Sequence, residues 1–133
     1  MISDRKNNRR LVRRGYELFA KGDIDGMLAL HSPDSVWHIP GVAPWAGTYR
    51  GHDAIRSLIA TLTAQVELLE FRPEKFLADA DKVVVLGKVR GRVRATGRTY
   101  DSEFAEVLTI ANGKMIAFDE YIDTLAVANA LGL

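Results

Sequence analysis

Three carboxylates lie close together near the C-terminus, in the stretch KMIAFDEYID from Lys114 to Asp123. The stretch is rich in apolar and aromatic residues, as is typical of a β-strand, and it carries Asp119 and Glu120 side by side. Neighbouring side chains on a strand point to opposite faces, so one of the two acids must face the buried side. A carboxylate in an apolar interior is costly unless it is paired or used, and the enclosed acid is therefore a candidate catalytic group.

The turn before this strand indicates which acid is enclosed. The Asn-Gly pair at 112–113, flanked by alternating apolar residues, is a strong signal for a hairpin. A two-residue turn there pairs Ala111 with Lys114, and the same register places Glu106 opposite Asp119. Like charges so placed repel each other unless water screens them. We therefore predict that Glu106 and Asp119 face solvent, although a bulge in the hairpin would reverse the assignment.

Glu120 is then the acid predicted to face the interior. In the same register the enclosed face also carries Glu103, Ala105, Phe118 and Ile122. Desolvation raises the pKa of a carboxylate in an apolar pocket, which suits it to proton transfer near neutral pH. The alternative is that Glu120 is exposed or forms a structural ion pair with Lys88 or Arg90.

The elements that position this acid follow from the hydrophobic periodicity of the chain. Apolar residues recur at helical spacing in the first half of the chain and at every second position from Val66 onward, and turn residues separate the elements. The predicted elements are helices over about 4–20, over Ile24–His31 and from His52 or Asp53 onward, a brief strand Val36–Ile39, four long strands with turns at 80–81, 96–97 and 112–113, and a last helix Thr124–Leu131 capped by Asp123. Helices followed by a long meander indicate a single α+β domain over residues 1–133, in which a curved antiparallel sheet wraps over three N-terminal helices and encloses a conical pocket.

Aromatic residues are expected to form the wall of this pocket. Trp37 and Ile39 share one face of the first strand, and Trp45 lies in the irregular loop that would cover the mouth. His38 is expected to face away from Trp37, and His52 to lie at the start of the third helix. The three histidines lack metal-ligand spacing, so we predict neither a metal nor a cofactor.

Charge and composition narrow the classes of partner. The 133 residues include 18 Lys and Arg against 17 Asp and Glu, and no cysteine, which excludes disulfides and thiolate chemistry. The basic residues between positions 5 and 14 fall in i, i+4 rows, as on the solvated face of a helix. Without an apolar run long enough for a secretory signal or a membrane span, we expect a cytoplasmic protein with no nucleic-acid or membrane partner.

A second basic row leaves two interpretations open. Lys88, Arg90, Arg92 and Arg94 alternate with small or apolar residues, which favours a solvated sheet face. If the row faced inward instead, the ligand would be anionic.

Several short motifs, in order along nearly the whole chain, resemble the SnoaL-like branch of the nuclear transport factor 2-like (NTF2-like) superfamily. The motifs are Phe19-x-x-Gly22-Asp23, Asp34-Ser35-Val36-Trp37, Ile39-Pro40-Gly41, Gly47-Thr48-Tyr49-Arg50-Gly51-x-x-x-Ile55, and Gly113-Lys114-Met115 followed by Tyr121-Ile122-Asp123. The resemblance implies a cystatin-like fold and a homodimer joined through the outer faces of the sheets, which would cover Phe104, Leu108 and Tyr121. The superfamily includes ketosteroid isomerases, polyketide cyclases and epoxide hydrolases besides members with no chemistry, so the fold does not fix the function.

Comparison with these enzymes, residue by residue, points again to Glu120. The position that resembles the catalytic aspartate of limonene epoxide hydrolase is Glu120, and so is the one that resembles an acid of SnoaL-type cyclases. The Arg-x-Asp of the hydrolase falls near Lys88-Val89-Arg90, which lacks the second acid. Of the ketosteroid isomerase set, the general base falls on Ile39 and the oxyanion-hole acid on Ala105, while its tyrosine falls near Gly15 or Tyr16.

The sequence therefore predicts a SnoaL-like protein that binds an apolar cyclic or carbonyl compound and uses Glu120 as general acid or base in an isomerase-, cyclase- or hydrolase-type step. The rival hypothesis is a non-catalytic ligand-binding or dimerisation module of the same fold. The residues predicted to bind the ligand are Tyr16, Trp37, Ile39, Trp45, Glu103, Ala105, Phe118 and Ile122.

Overall fold

The computed structural model describes the backbone from residue 2 to residue 133 and the side chains from residue 4 onward. Four helices and six strands follow one another along the chain: α1 (Ile2–Ala20), α2 (Ile24–Ala29), β1 (His31–Ile39), β2 (Gly47–Arg50), α3 (His52–Gln65), β3 (Val66–Asp79), β4 (Lys82–Val93), β5 (Thr99–Ala111), β6 (Lys114–Ile122) and α4 (Thr124–Leu131). The predicted α+β class, with a curved sheet over three N-terminal helices, is confirmed.

The helices present apolar faces to the sheet, and local signals fix where they begin and end. In α3, Ile55, Leu58 and Ile59 are buried on one face, as the i, i+3, i+4 spacing predicts. The carboxylate of Asp123 accepts a hydrogen bond from the backbone N–H of Ala126 at 3.0 Å, so the predicted cap of α4 is confirmed. In the described part of the chain, no helix combines the length and apolarity needed to cross a bilayer.

The sheet has the order β2-β1-β6-β5-β4-β3. All neighbouring strands are antiparallel except β1 and β6, which are parallel. Pairing of the first long strand with the last places the N-terminal and C-terminal parts of the sheet side by side. Trp37 of β1 therefore lies beside Phe118 of β6.

Two predicted boundaries at the start of the sheet are wrong. The second helix ends at Ala29, and β1 begins at His31 instead of Val36, so His31 belongs to a strand and not to a helix. The predicted irregular loop contains an edge strand, β2, in which Tyr49 pairs with Trp37. Four residues at a sheet edge give too short a pattern for periodicity to reveal.

A β-bulge in the last hairpin changes which residues face inward. The predicted pairs Ala111–Lys114 and Ile110–Met115 form at the turn, but Thr109 then pairs with Ala117. Ile116 is the extra residue on β6, so every later pair is shifted by one position.

Beyond the bulge, Glu106 pairs with Glu120 and Val107 with Asp119. The predicted outward pairing of Glu106 with Asp119 is therefore wrong, because a shift of one residue moves a side chain to the other face. Glu106 is only 5% exposed, and both glutamates point to the concave side of the sheet.

Because of the same shift, the predicted face is also wrong for four other side chains of β5. Glu103 and Ala105, predicted to line the pocket, lie on the outer face, where Glu103 is exposed. Phe104 and Leu108, predicted to lie in a dimer interface, are buried inside. Of the three expected interface residues only Tyr121, 60% exposed, is on the outer face, and the homodimer stays a prediction.

The outer face also carries the second basic row. Lys88, Arg90, Arg92 and Arg94 are exposed, and Arg92 donates to the Glu67 carboxylate at 2.9 Å. The solvated interpretation of this row is confirmed, and the anionic-ligand interpretation that depended on an inward row is lost.

Candidate functional site

A cavity of about 150 Å³ lies between the concave face of the sheet and the helices α1 and α3. Its wall is mostly apolar and aromatic, and residues 40–43 lie where the strand β1 ends, beside the C-terminal end of β6. A dry apolar cavity of this size accommodates a molecule as large as a six-membered aromatic ring. The polar side chains that line the cavity are few, and apart from Thr63, Tyr100, Thr124 and Trp45 they form two groups.

The first polar group is formed by Tyr16, Glu106 and Glu120. Glu106 and Glu120 are opposite each other on β5 and β6, and the Tyr16 hydroxyl of α1 donates to Glu106 Oε1 at 2.5 Å. Glu106 is buried, whereas Glu120 is half-buried and retains access from the cavity. A hydrogen-bonded carboxyl thus lies directly beside a second carboxyl in an apolar enclosure.

Burial shifts the pKa values of all three groups. The pKa of Glu106 is raised, first by desolvation and then by the neighbouring charge of Glu120, while the hydrogen bond from Tyr16 opposes the rise. Desolvation also raises the pKa of Glu120, and burial followed by the charge of Glu106 raises that of Tyr16. Two carboxyls so close together cannot both ionise easily, so the pair holds a proton into the neutral range.

Lys88 and Arg90 do not neutralise this pair. Both are exposed on the outer face, and the Arg90 guanidinium lies 3.6 Å from Asp101 on that face. The hypothesis that Glu120 forms a structural ion pair with either base is therefore contradicted.

Stacked aromatic rings form much of the cavity wall. Trp37 stacks on Phe118 with ring centres 4.2 Å apart, and Phe71 stacks on Phe104 at 5.1 Å. Tyr100 lies in the wall, and burial, followed by the charge of Glu120, raises its pKa to about 12. Gly91 makes room for it, since a Cβ at that position would approach the Tyr100 ring to 2.6 Å.

The second polar group is formed by His31 and Trp37. His31 is 3% exposed and Trp37 is 8% exposed, and their ring centres are 5.5 Å apart. Within the described residues, neither His31 Nδ1 nor Trp37 Nε1 has a hydrogen-bond partner. Desolvation, followed by the charge of His52, lowers the pKa of His31 to about 4, so the imidazole is neutral at physiological pH.

The other histidines do not contribute side chains to the cavity. His38 is exposed and its Nδ1 lies 2.8 Å from Thr48 Oγ1, while His52 Nε2 lies 3.0 Å from the backbone oxygen of His31. Among the described residues, no three His, Asp or Glu side chains converge as metal ligands would.

Most of the predicted site residues do meet in this cavity. Seven of them line it, namely Tyr16, Trp37, Ile39, Trp45, Phe118, Glu120 and Ile122. Glu103 and Ala105 do not line the cavity, because the register shift at the bulge puts them on the outer face. The binding and catalytic roles of the seven remain predictions.

Sequence reasoning missed two side chains of the site. An unbroken hairpin ladder predicts Glu106 on the outer face, although a charged residue inside an apolar strand is itself a signal of a functional position. The position expected to resemble the oxyanion-hole acid of ketosteroid isomerase, Ala105, is one residue away, and Tyr16 rather than Gly15 reaches Glu106. His31 was missed because it was assigned to the end of a helix.

Comparisons with known proteins agree with this architecture. A family model described as a SnoaL-like domain matches residues 12–118. An NTF2-like protein from Burkholderia xenovorans LB400 has a TM-score of 0.87 and 37% identity, with 94% of this chain and 95% of that chain covered. TerC, crystallised with polyporic acid, has a TM-score of 0.81 and 26% identity, with 96% and 99% covered. An uncharacterized protein of Mycobacterium tuberculosis (strain ATCC 25618 / H37Rv) is 28% identical over 112 residues, which are 84% of this chain and 85% of that protein.

Proposed function

Because this chain belongs to the SnoaL-like domain family of the NTF2-like superfamily, we propose that it is a small-molecule enzyme that moves a proton on a cyclic carbonyl compound, with Glu120 as the general base. The observation that carries the proposal is the pairing of Glu106 with Glu120 inside an apolar cavity. Two adjacent carboxyls whose environments differ can divide the roles of acid and base.

The difference in burial assigns these roles. Glu106 is the more deeply buried of the two and feels the charge of its neighbour, so it keeps the shared proton. Glu120 is then the ionised member, and it is the less buried of the two acids that line the cavity. A base whose pKa is raised toward neutrality is both ionised and basic enough to remove a proton at physiological pH.

The reaction that fits this arrangement is enolisation of a ketone. Glu120 removes a proton from the carbon next to the carbonyl, so a C–H bond breaks and an O–H bond forms on the carboxylate. The protonated Glu106 donates a hydrogen bond to the carbonyl oxygen as negative charge develops there, and Tyr16 holds Glu106 in place. If the proton on Glu120 is first replaced by one from solvent, its return to the same carbon gives exchange, and return of a proton to a conjugated carbon isomerises the compound; both regenerate the Glu120 carboxylate.

Hydrogen–deuterium exchange tests this step without knowledge of the natural substrate. Acetophenone, a ring-sized ketone, is incubated with the protein in D₂O, and loss of the methyl signal is followed by NMR. We expect exchange above the buffer rate, and we expect Glu120→Gln to lower the protein-dependent rate by about 100-fold or more, the usual contribution of a general base.

The neighbouring acid supplies a matched control. Asp119→Asn removes a carboxylate one residue away on the opposite face, and we expect its exchange rate to stay within about twofold of the parent on the same reasoning. Equal rates for Glu120→Gln and the parent protein would refute the role of Glu120. Binding of acetophenone without any protein-dependent exchange would instead support the non-catalytic ligand-binding module.

A further inference from the structure

Two buried polar atoms in the cavity wall are not used by the proton-transfer step. Trp37 Nε1 and His31 Nδ1 have no hydrogen-bond partner among the described residues, although both side chains are more than nine-tenths buried and line the cavity. A buried polar atom without a partner costs on the order of 1–3 kcal/mol, and such atoms are uncommon in folded proteins. Two of them on adjacent rings of one cavity indicate a shared purpose.

Their place in the sheet separates them from the acid pair. His31 pairs with Met115 on β6 and Trp37 pairs with Phe118, five and two residues before Glu120. A strand rises about 3.3 Å per residue, so the two rings lie toward the other end of the cavity from the carboxyls. Two residues correspond to about 7 Å along the strand between Trp37 and Glu120, a distance that a ring with substituents at opposite ends can span.

We propose that Trp37 Nε1 and His31 Nδ1 form a second polar anchor, which binds a hydroxyl group of the ligand while the ligand's carbonyl faces Glu106 and Glu120. This proposal rests on the function proposed above and narrows its substrate class to hydroxylated cyclic ketones, with the two oxygens on opposite sides of the ring system.

The chemistry of the two nitrogens selects a hydroxyl. An indole N–H can only donate, whereas a neutral imidazole has one nitrogen that accepts. In the tautomer that carries the imidazole proton on Nε2, a hydroxyl oxygen accepts from Trp37 while its hydrogen is donated to His31 Nδ1, whereas a carbonyl or ether oxygen could satisfy Trp37 alone. The ring centres are 5.5 Å apart, so the two rings are neighbours in the cavity wall.

The test compares acetophenone with 4-hydroxyacetophenone, which differ only in the hydroxyl opposite the ketone. Dissociation constants are measured by calorimetry. We expect the hydroxyl to tighten binding by about tenfold, the effect of satisfying buried polar atoms. In the parent protein labelled with ¹⁵N, the Trp37 indole signal should shift further with 4-hydroxyacetophenone than with acetophenone, a readout that needs no substitution in the anchor.

A pair of tryptophan variants isolates the indole N–H. Trp37→Phe keeps an aromatic ring against Phe118 but removes the donor, and we expect the tenfold preference for the hydroxyl to disappear. Trp45→Phe removes the same volume from another buried tryptophan of the wall. We expect it to weaken both probes alike and to keep the preference, and it also identifies the Trp37 indole signal by elimination.

The failures of the two proposals have different signatures. If both ketones bind the parent protein equally, or if Trp37→Phe keeps the preference, the anchor is overturned while the exchange reaction stands on its own measurement. If the preference is present and depends on Trp37 but acetophenone shows no exchange, the anchor is supported and the catalytic proposal fails. If neither ketone binds, both are overturned.

Discussion

The β5–β6 hairpin carries acidic residues on both of its faces, and the two faces give these acids different surroundings. Glu106 and Glu120 point into the apolar cavity beside Tyr16, whereas Glu103 and Asp119 lie on the outer face of the sheet. On each strand, the residues directly before and after the inner acid point to the outer face. The residue type therefore says little about the surroundings of an acid in this hairpin, and the face decides whether a carboxyl is solvated or lies in the apolar cavity.

The largest difference between the faces is expected in the free energy of unfolding that is lost when an apolar side chain is truncated. Leu108 is 2% exposed on the inner face, and its neighbour Val107 is half-buried on the outer face. We expect Leu108→Ala to lower the free energy of unfolding by about 3 kcal/mol, because it removes fully buried carbons and leaves a void. Val107→Ala should cost about 1 kcal/mol on the same basis. Urea denaturation measures both, and equal losses would mean that Val107 is covered as completely as Leu108.

The next largest difference between the two faces is expected in the pH dependence of stability. Burial and the charge of Glu120 raise the pKa of Glu106 from 4.5 to about 8, so between these values the native state holds a proton that the unfolded chain has lost. The free energy of unfolding therefore falls as the pH rises through this window. Glu106→Gln has no such proton, and we expect its stability relative to the parent to increase by on the order of 2 kcal/mol from pH 5 to pH 8.

Two features make this comparison specific. His31, whose pKa is lowered to about 4, acts in the opposite sense, because the unfolded chain holds its proton up to about pH 6.5. Since His31 is present in both proteins, its contribution cancels in the difference. Asp119→Asn is the outer-face control, and a pH profile like that of Glu106→Gln would mean that the raised pKa does not depend on the inner position.

A smaller effect is expected from the hydroxyl of Tyr16. Tyr16→Phe keeps the ring against Phe71 but removes the hydrogen bond to Glu106, which should cost about 1 kcal/mol of stability. Because that hydrogen bond holds the pKa of Glu106 down, its loss should raise the pKa of Glu106 further. A ¹³C NMR titration of the carboxyl measures this shift. Tyr121→Phe on the outer face should leave the Glu106 titration unchanged, and an unshifted titration in Tyr16→Phe would contradict the contact.

The smallest effect is expected for the ion pair of Arg92 with Glu67 on the outer face. The two side chains are 46% and 44% exposed, and Arg92 Nη1 lies 2.9 Å from Glu67 Oε1. Solvent screening and lost side-chain freedom leave exposed pairs at about 0.5 kcal/mol or less. A double-mutant cycle with Arg92→Ala and Glu67→Ala measures the coupling, and a value above about 1 kcal/mol would show that this face is less hydrated than its exposure indicates.

The local elements could be predicted from the sequence because local signals specify them. The helical spacing of Ile55, Leu58 and Ile59, the Asn-Gly turn at 112–113 and the Asp123 cap each act within a few residues. The inward orientation of Glu120 is also predicted correctly, but the argument for it uses a pairing of Glu106 with Asp119 that the bulge removes.

Two features could not be predicted from the patterns of apolar residues. The bulge at Ile116 lies within the last hairpin, but an alternating pattern gives no sign of an extra residue. The parallel pairing of β1 with β6 brings His31 beside Met115, across more than eighty residues of chain. Glu106 and His31, the two side chains missed in the site, are those whose positions depend on these two features.

The extra residue at Ile116 has a consequence for how this protein tolerates change. If all the residues of the hairpin were kept and the bulge were lost, a simple ladder would pair Glu106 with Asp119 and Ala105 with Glu120, which puts the two glutamates on opposite faces. Deletion of Ile116 would instead leave Ala117 directly after Met115 and keep Glu106 opposite Glu120. The acid pair therefore depends on one extra residue whose own side chain is apolar.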